Sequence, residues 1–593
     1  MRGLRLLHFA FVLVVVSVTE SRASSQIDAD FETGVLDIET ATLYRAYTLF
    51  DPSQLPDRYQ ERGGVAFCGT PIAVEIREGL RRLNTAAAVK INRLFARRRL
   101  QYSYVSPGGH FRVHYDADPP SSDAVDRRDD NGNGIPDYID TVAATFDSVW
   151  RLEIDQLGYH PPFSDGGAGG GDEYDIYVVE LGRTNVYGYT YPDEEGPTGQ
   201  TSTSYIEIDN NYLGGVYETS RTKGLGALRV TAAHEFFHAI QFSYYDGQDG
   251  IWWQEATATW MEDVAYTEVN DYYQYLRYFF QDPTLSLDKA ASSQDYHIFG
   301  ATIFPRFLSE RFDHRVIRRT WENFAQRRSA AIEGIDRAIP VGLDSAIVEF
   351  TLWNYFTGKR YKNGYYAEGQ AYPEAPVKLI QLSGETVQGE VVDHLGVDYL
   401  RVEPRGRPGG MHIQLNVDER VVWRITFLLV THDGVDVHRG ERRVPLRLFD
   451  WQRYQEIVAV PLVLSRQGAG YWYTYSATYD SSMTNRVTPG RFALKPIYPN
   501  PFTPGAGKVT TLSFDIPQPT KDVRVTIYSI TGQKIREILL GDLPAFSYTE
   551  GSGFAWDGLD QTGRFVAPGM YFYRIDAGQS VGKGKLIVLP RVP

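Results

Sequence analysis

The sequence predicts a multidomain α+β protein: a helical N-terminal segment, a mixed central domain of strands and helices, and two all-β modules. Three observations predict it. At 593 residues the chain is too long for a single core. Residues 24 to about 105 place apolar side chains three and four apart among charges, as in ATLYRAYTLF and IREGLRRLNTAAAVKINRLFARRRL, which is helical spacing. Beyond about 375 the texture becomes short alternating strands separated by turn residues.

The first 23 residues, MRGLRLLHFAFVLVVVSVTESRA, carry Arg2 and Arg5, an apolar run from Leu6 to Val18, and the small residues Ser21 and Ala23 before a cut after Ala23. This reads as a cleaved signal peptide, with an uncleaved anchor as the alternative. No later segment is apolar enough to cross a membrane, so the mature chain is expected outside the cytoplasm. The helical segment, 24–105, includes Arg97-Arg98-Arg99, read either as a solvated helix end or as a processing site that frees a pro-segment. Strands, Gly-rich loops and helices then fill 106–370. Strands such as GMHIQLNV, VVWRITFLLV and EIVAVPLVLS make 371–487 a β-sandwich accessory domain, and a Pro-rich joint opens the last module, 488–593. A net charge of −14, without a basic aromatic groove, argues against a nucleic-acid partner.

Within TAAHEFFHAIQFSYY, His234, Glu235 and His238 form the pattern H-E-x-x-H. With 12 His and 74 acidic residues in 593, chance supplies about 0.03 such matches per chain. Ala-rich sequence with few β-branched residues favours a helix, and the i, i+4 spacing turns both imidazoles to one face. Zinc suits two neutral imidazoles, a third protein ligand and one open position. The next helical segment, DGIWWQEATATWMEDVAY, offers Glu255 as that ligand, far enough along for a loop and a return helix. Zinc would lower the pKa of a water in the open position, and Glu235 would take its proton as a carbonyl is attacked. A buried helix with two satisfied histidines is the ordinary alternative.

HEFFH followed by Trp252-Trp253-Gln254-Glu255-Ala256-Thr257-Ala258 resembles the gluzincin metallopeptidases of the thermolysin-like clan, whose second helix carries W-x-x-E-G/A-x-A. The landmarks GHFRVHYD, DDNGNGIPDYID, HEFFHAIQ, WQEATATWMED, IFPRFLSERF and FTLWNYFTGKR resemble a family of secreted bacterial metalloproteases known mainly from sequence. The resemblance implies a zincin-like domain, with His234, His238 and Glu255 on zinc and Glu235 as general base. Two features depart from the pattern: the gap to Glu255 is short, and Thr259 stands where an orienting acid is common. Glu262, seven positions past Glu255 on the same helix face, is therefore a second-shell partner or an alternative ligand. Tyr296 and His297 are candidates to polarise the substrate carbonyl, a core or surface role being the ordinary reading.

RRDDNGNGIPDYIDTVAATF fits an EF-hand-like calcium loop. Asp129, Asn131, Asn133, Ile135 (through its carbonyl), Asp137 and Asp140 fall at the ligand positions, with a helix from Ile139 to Leu157 behind. An Asx-rich turn that binds nothing is the alternative. Cys68 is the single cysteine, so the chain has no internal disulfide. The ordinary reading of Cys68 is a small buried apolar side chain. The other is a latency thiol that fills the open zinc position from an upstream pro-segment.

The last module, with IYPNPFTP, VRVTIYSITGQKIRE, FAWDGLDQTGRFVAPGMYFYRI and GKGKLIVL, resembles the Ig-like C-terminal sorting domains of type IX secretion cargo and the related flagellar hook-capping modules. The resemblance implies secretion or sorting machinery as a partner and a secreted or bacterial cell-surface location. The expectation is a secreted, calcium-stabilised zinc endopeptidase acting on polypeptides. A surface adhesin with an inactive protease-like domain is the alternative of a different class, and a hydrolase of non-peptide bonds a third.

Overall fold

The computed structural model describes residues 23–590 apart from 61–66, 84, 185, 291–294, 329–331, 405, 433, 441–445, 482, 484–488, 506–507, 544 and 550–552. The expected leader peptide thus lies outside the described residues, Ala23 excepted. The fold is mixed α and β, with a helical region and several sheets. Two compact units divide it: one runs to 280 and includes 288–346 and 361–373, and the other comprises 281–287, 347–360 and 374–593.

The first unit opens with helices α1 (Ala23–Glu32) and α2 (Ile38–Phe50). The Asp37 carboxylate caps α2 by accepting from the Thr40 N–H at 2.7 Å. The predicted run of helices is then interrupted by a strand, β1 (Phe67–Cys68), before α3 (Thr70–Leu80) and α4 (Thr85–Asn92). Strands β2 (Tyr102–Val105) and β3 (Phe111–Tyr115) follow, then α5 (Asp137–Trp150), β4 (Tyr174–Val179), β5 (Val186–Glu195) and β6 (Ser202–Asp209). The helix expected to reach Leu157 instead changes to a π-helix at Arg151–Gln156.

These strands make one mixed sheet in the order β1-β5-β6-β4-β3-β2, with β1 parallel to β5 at one edge. Every residue of β6 is buried, as suits a central strand covered on both faces. Helix α6 (Gly224–Tyr244) packs against β5 and β6, and α7 (Ile251–Ala265) packs on α6. Both are buried nearly all round, so neither shows the one-sided stripe of a surface helix. Helices α8 (Tyr273–Phe280), α9 (Tyr296–Gly300), α10 (Ile303–Arg311), α11 (Arg315–Arg327) and α12 (Ile332–Ala338) complete the unit.

The arginine run corrects an expectation. Helix α4 ends at Asn92, and the following arginines are not a solvated helix end. Arg97 pairs with Asp165, Asp175 and Asp193, and Arg98 with Glu207, whose carboxylate is almost wholly buried. Arg97 and Arg98 are thus tied to the sheet's carboxylates, while Arg99 is exposed.

The second unit holds two separate apolar cores. In the first, the sheet of β7 (Lys378–Leu379), β9 (Leu400–Val402), β11 (Trp423–Val430), β12 (Val435–Gly440) and β14 (Glu456–Val463) shares its core with a second sheet. That sheet comprises β8 (Val387–Gln388), β10 (Gly410–Val417), β13 (Leu446–Leu448) and β15 (Tyr473–Asp480). Alternation along β10 sends Met411, Ile413, Leu415 and Val417 inward. The second core lies beyond residue 490, where Val523, Val525 and Ile527 alternate inward and meet Trp556, Ile575 and Leu586. Gly532 and Gly563 sit in turns of this module, each at positive φ. Among the described residues, no helix is long and apolar enough to cross a membrane.

Candidate metal centre

Helix α6 carries HEFFH and α7 carries Glu255, and their packing brings the two together. Phe236 turns away to pack on Phe111 and Trp150, and Phe237 packs on Tyr159, so the aromatic pair fixes the helix while the histidines face inward. His234 Nε2 lies 3.3 Å from Glu255 Oε2, and His238 Nε2 lies 3.1 Å from Glu255 Oε1. A fourth group arrives from β1: the Cys68 sulfur is 3.5 Å from His238 Nε2. One ligand atom from each of Cys68, His234, His238 and Glu255 lies within 4.8 Å of all the others, and all four residues are buried.

The remaining nitrogen of each ring has its own partner. His234 Nδ1 sits 2.7 Å from Glu262 Oε1, and His238 Nδ1 sits 2.8 Å from Gln241 Oε1. Gln241 is itself oriented, because its amide nitrogen donates to the Gln254 carbonyl at 3.0 Å and to Thr257 Oγ1 at 3.1 Å. Its oxygen must therefore face His238. With each Nδ1 held by a side-chain oxygen, both Nε2 atoms point into the cluster and can bind an ion when the rings are neutral. Two imidazole nitrogens thus face one buried carboxylate, an arrangement that a proton or a metal cation can bridge.

Burial pushes the Cys68 thiol well up, and Glu235 and Glu255 add to it. Burial would also raise Glu255, but His238 and His234 outweigh it and hold that carboxyl down to about 2. Burial disfavours charge on His234, yet Cys68, Glu255 and Glu262 push it well above the ordinary imidazole value. Burial raises Glu262 to about 8 against the pull of His234. The donor set of two imidazole nitrogens, a carboxylate and a thiol fits zinc. A tetrahedral zinc site separates its ligand atoms by roughly 3.3–3.8 Å, close to the spacings above.

Glu235, the expected general base, is 1 % exposed. Its Oε2 accepts from the hydroxyls of Thr70 at 2.9 Å and Thr190 at 2.8 Å. Gly188 makes this possible, since a Cβ there would come within 2.8 Å of Thr231 and 3.3 Å of Glu235 Cγ. Beside Cys68 and His234 a cavity is walled by Tyr187, Val230, Tyr275 and Phe299, with Glu235, Glu262 and Asp271 as its acids.

The other candidates divide. Glu262 is not among the four donors; its carboxylate serves the back of His234. Tyr296 and His297 lie on α9 among Tyr275, Tyr278 and Phe279, outside the four-donor group. In the loop, Asp129 accepts from the N–H groups of Asn133 and Gly134, and Asp140 accepts from the amides of Asn131 (2.8 Å) and Asn133 (2.9 Å). Ile135 donates to Asn133 Oδ1, and Asp137 accepts from the Asp130 N–H. The loop therefore closes around Asp140. Thr70, Thr190 and Gln241 were not singled out in the sequence. Gln241 had a signal, three positions past His238 on the same face; the threonines had none.

Neither a family model nor a curated protein matches the chain. Solved structures that resemble parts of it include dimeric latent PorU from Porphyromonas gingivalis, at 13% identity and a TM-score of 0.14, covering 31% of this chain and 18% of that one. Another is the β-glucuronidase of Parabacteroides merdae with glycerol in its active site, at 10% identity and a TM-score of 0.13, covering 31% of this chain and 28% of that one. The matched stretches thus span less than a third of either protein, and likeness at this level carries no argument about fold or activity.

Proposed function

We propose that the chain is an exported zinc-dependent endopeptidase with a zincin-like catalytic domain. The observation that carries this is the pair of imidazoles whose Nδ1 atoms are held by Glu262 and Gln241, leaving both Nε2 atoms aimed at Glu255. His234, His238 and Glu255 would hold the ion. When bound, zinc supplies Lewis acidity that polarises a carbonyl and brings a water's pKa toward neutrality. Glu235, on the same helix turn as His234, is the group that takes the water's proton and passes it to the leaving nitrogen. On this reading the loop at Asp129–Asp140 holds structural calcium once the Asn131 and Asn133 amides turn their oxygens inward. The two β cores are Ig-like modules, the last one serving secretion and sorting.

The test is metal analysis of the purified chain together with casein cleavage by the native protein and by Glu235→Ala. Stoichiometric zinc with cleavage lost in the variant supports the reading, and zinc-free protein without cleavage removes it. One observation favours a second reading. Four protein donors make a closed set, the hallmark of a structural zinc site, and a protease-like domain so closed would serve an adhesin.

A further inference from the structure

We propose that the segment Cys68-Gly69-Thr70 is an internal inhibitor of the HEFFH site, with the Cys68 sulfur as fourth metal ligand and the Thr70 hydroxyl engaging the general base. This rests on the hydrolase reading above. Three engagements within three residues carry it. Along the backbone, β1 lies on the free edge of β5, and the Gly69 N–H donates to the Gly188 carbonyl at 2.9 Å. The sulfur enters the four-donor group. The Thr70 hydroxyl donates to Glu235 at 2.9 Å, and its oxygen accepts from the Thr190 N–H at 2.7 Å.

The local backbone also holds the sulfur in place. Helix α3 begins at Thr70, whose N–H donates to the Cys68 sulfur at 3.3 Å, so the positive end of an 11-residue helix faces it. Gly69 allows the tight seat: a Cβ there would meet Leu49 at 2.9 Å and Tyr189 at 3.1 Å. A merely structural metal site accounts for the sulfur but not for Glu235, a buried carboxylate held beside the cluster by two hydroxyls. A catalytic site whose open position is closed from upstream accounts for both. On opening, the sulfur leaves the cluster and takes a proton from solvent, solvent enters in its place, and Glu235 is freed from Thr70.

The experiment uses the full chain loaded with cobalt for spectroscopy and with zinc for casein hydrolysis. As Cys68 is the single cysteine, a sulfur-to-cobalt charge-transfer band reports it alone. The native chain should show the band, and Cys68→Ser should lose it while hydrolysing casein about tenfold faster or more, activity scaling with the open fraction. A mercurial that caps the sulfur of the native chain should do the same without a mutation, which covers a variant that fails to fold. Native and Cys68→Ser chains of equal activity, or a native chain without the band, would overturn the latch and leave the hydrolase standing. A folded, metal-loaded Cys68→Ser that hydrolyses no peptide, with the band intact in the native chain, would overturn the hydrolase reading and the latch together, leaving a structural four-ligand site.

Discussion

Glu262 Oε1 lies 2.7 Å from Nδ1 of His234, on the side of the ring opposite the nitrogen that faces Glu255. One carboxylate of α7 thus enters the donor group while the other, two turns on, orients a donor from behind. The pair separates ligand from support within a single helix.

Removing the support should weaken the metal without abolishing its site. Glu262→Ala is expected to lower zinc affinity by about 10–100-fold with the stoichiometry unchanged. Glu255→Ala, which deletes a donor, should cost far more. Competition against a chromogenic chelator measures both, and equal losses would make Glu262 a ligand after all.

Glu153, in the π-helix, is fully buried, and neither of its carboxylate oxygens meets a hydrogen-bond partner among the described residues. Burial raises its pKa well above the ordinary value. The folded chain therefore keeps a proton that the unfolded chain releases near pH 4.3, so stability is highest below that pH. It falls by up to about 1.4 kcal/mol per unit as pH rises toward the folded pKa. Glu153→Gln should remove this slope and melt higher than the native chain at pH 7. A native-like pH profile in thermal melts of the variant would contradict the assignment.

Arg97 serves three carboxylates, and the Asp175 side chain among them is 1 % exposed. Arg97→Ala leaves a buried charge with His114 as its remaining partner and should cost about 3–5 kcal/mol in denaturant unfolding. For the same reason trypsin should spare the bonds after Arg97 and Arg98 in the native protein. Early cleavage there would return the run to the role of a processing site.

If the loop around Asp140 takes calcium, the ion should raise the melting temperature of the native chain, by about 2.7 kcal/mol in stability at a hundredfold excess over Kd. Asp129→Ala should abolish that rise, because Asp129 anchors the N–H groups of Asn133 and Gly134 that shape the turn. An unchanged response would leave the loop an Asx-rich turn.

Local spacing carried much of this into view. The i, i+4 histidines, the inward alternation of Val523, Val525 and Ile527, and the turns at Gly532 and Gly563 are short-range patterns, set by helix pitch, strand pleat and the freedom of glycine at positive φ. The same logic placed Glu262 on the face of Glu255, though not which of them meets the two Nε2 atoms.

What only the tertiary structure decided lies between distant residues. Cys68 stands 170 positions from His238, and Thr70 stands 165 from Glu235. No local pattern could seat β1 on the edge of β5, because that pairing depends on an unfilled sheet edge and on Gly188 letting the strand approach α6. The arginine run shows the same limit from the other side. Its charge suggested solvent, but partners as remote as Asp175 and Glu207 draw Arg97 and Arg98 inward. The residue types set two histidines on one face of a helix; packing across the sheet decided that a cysteine and a threonine would meet that face.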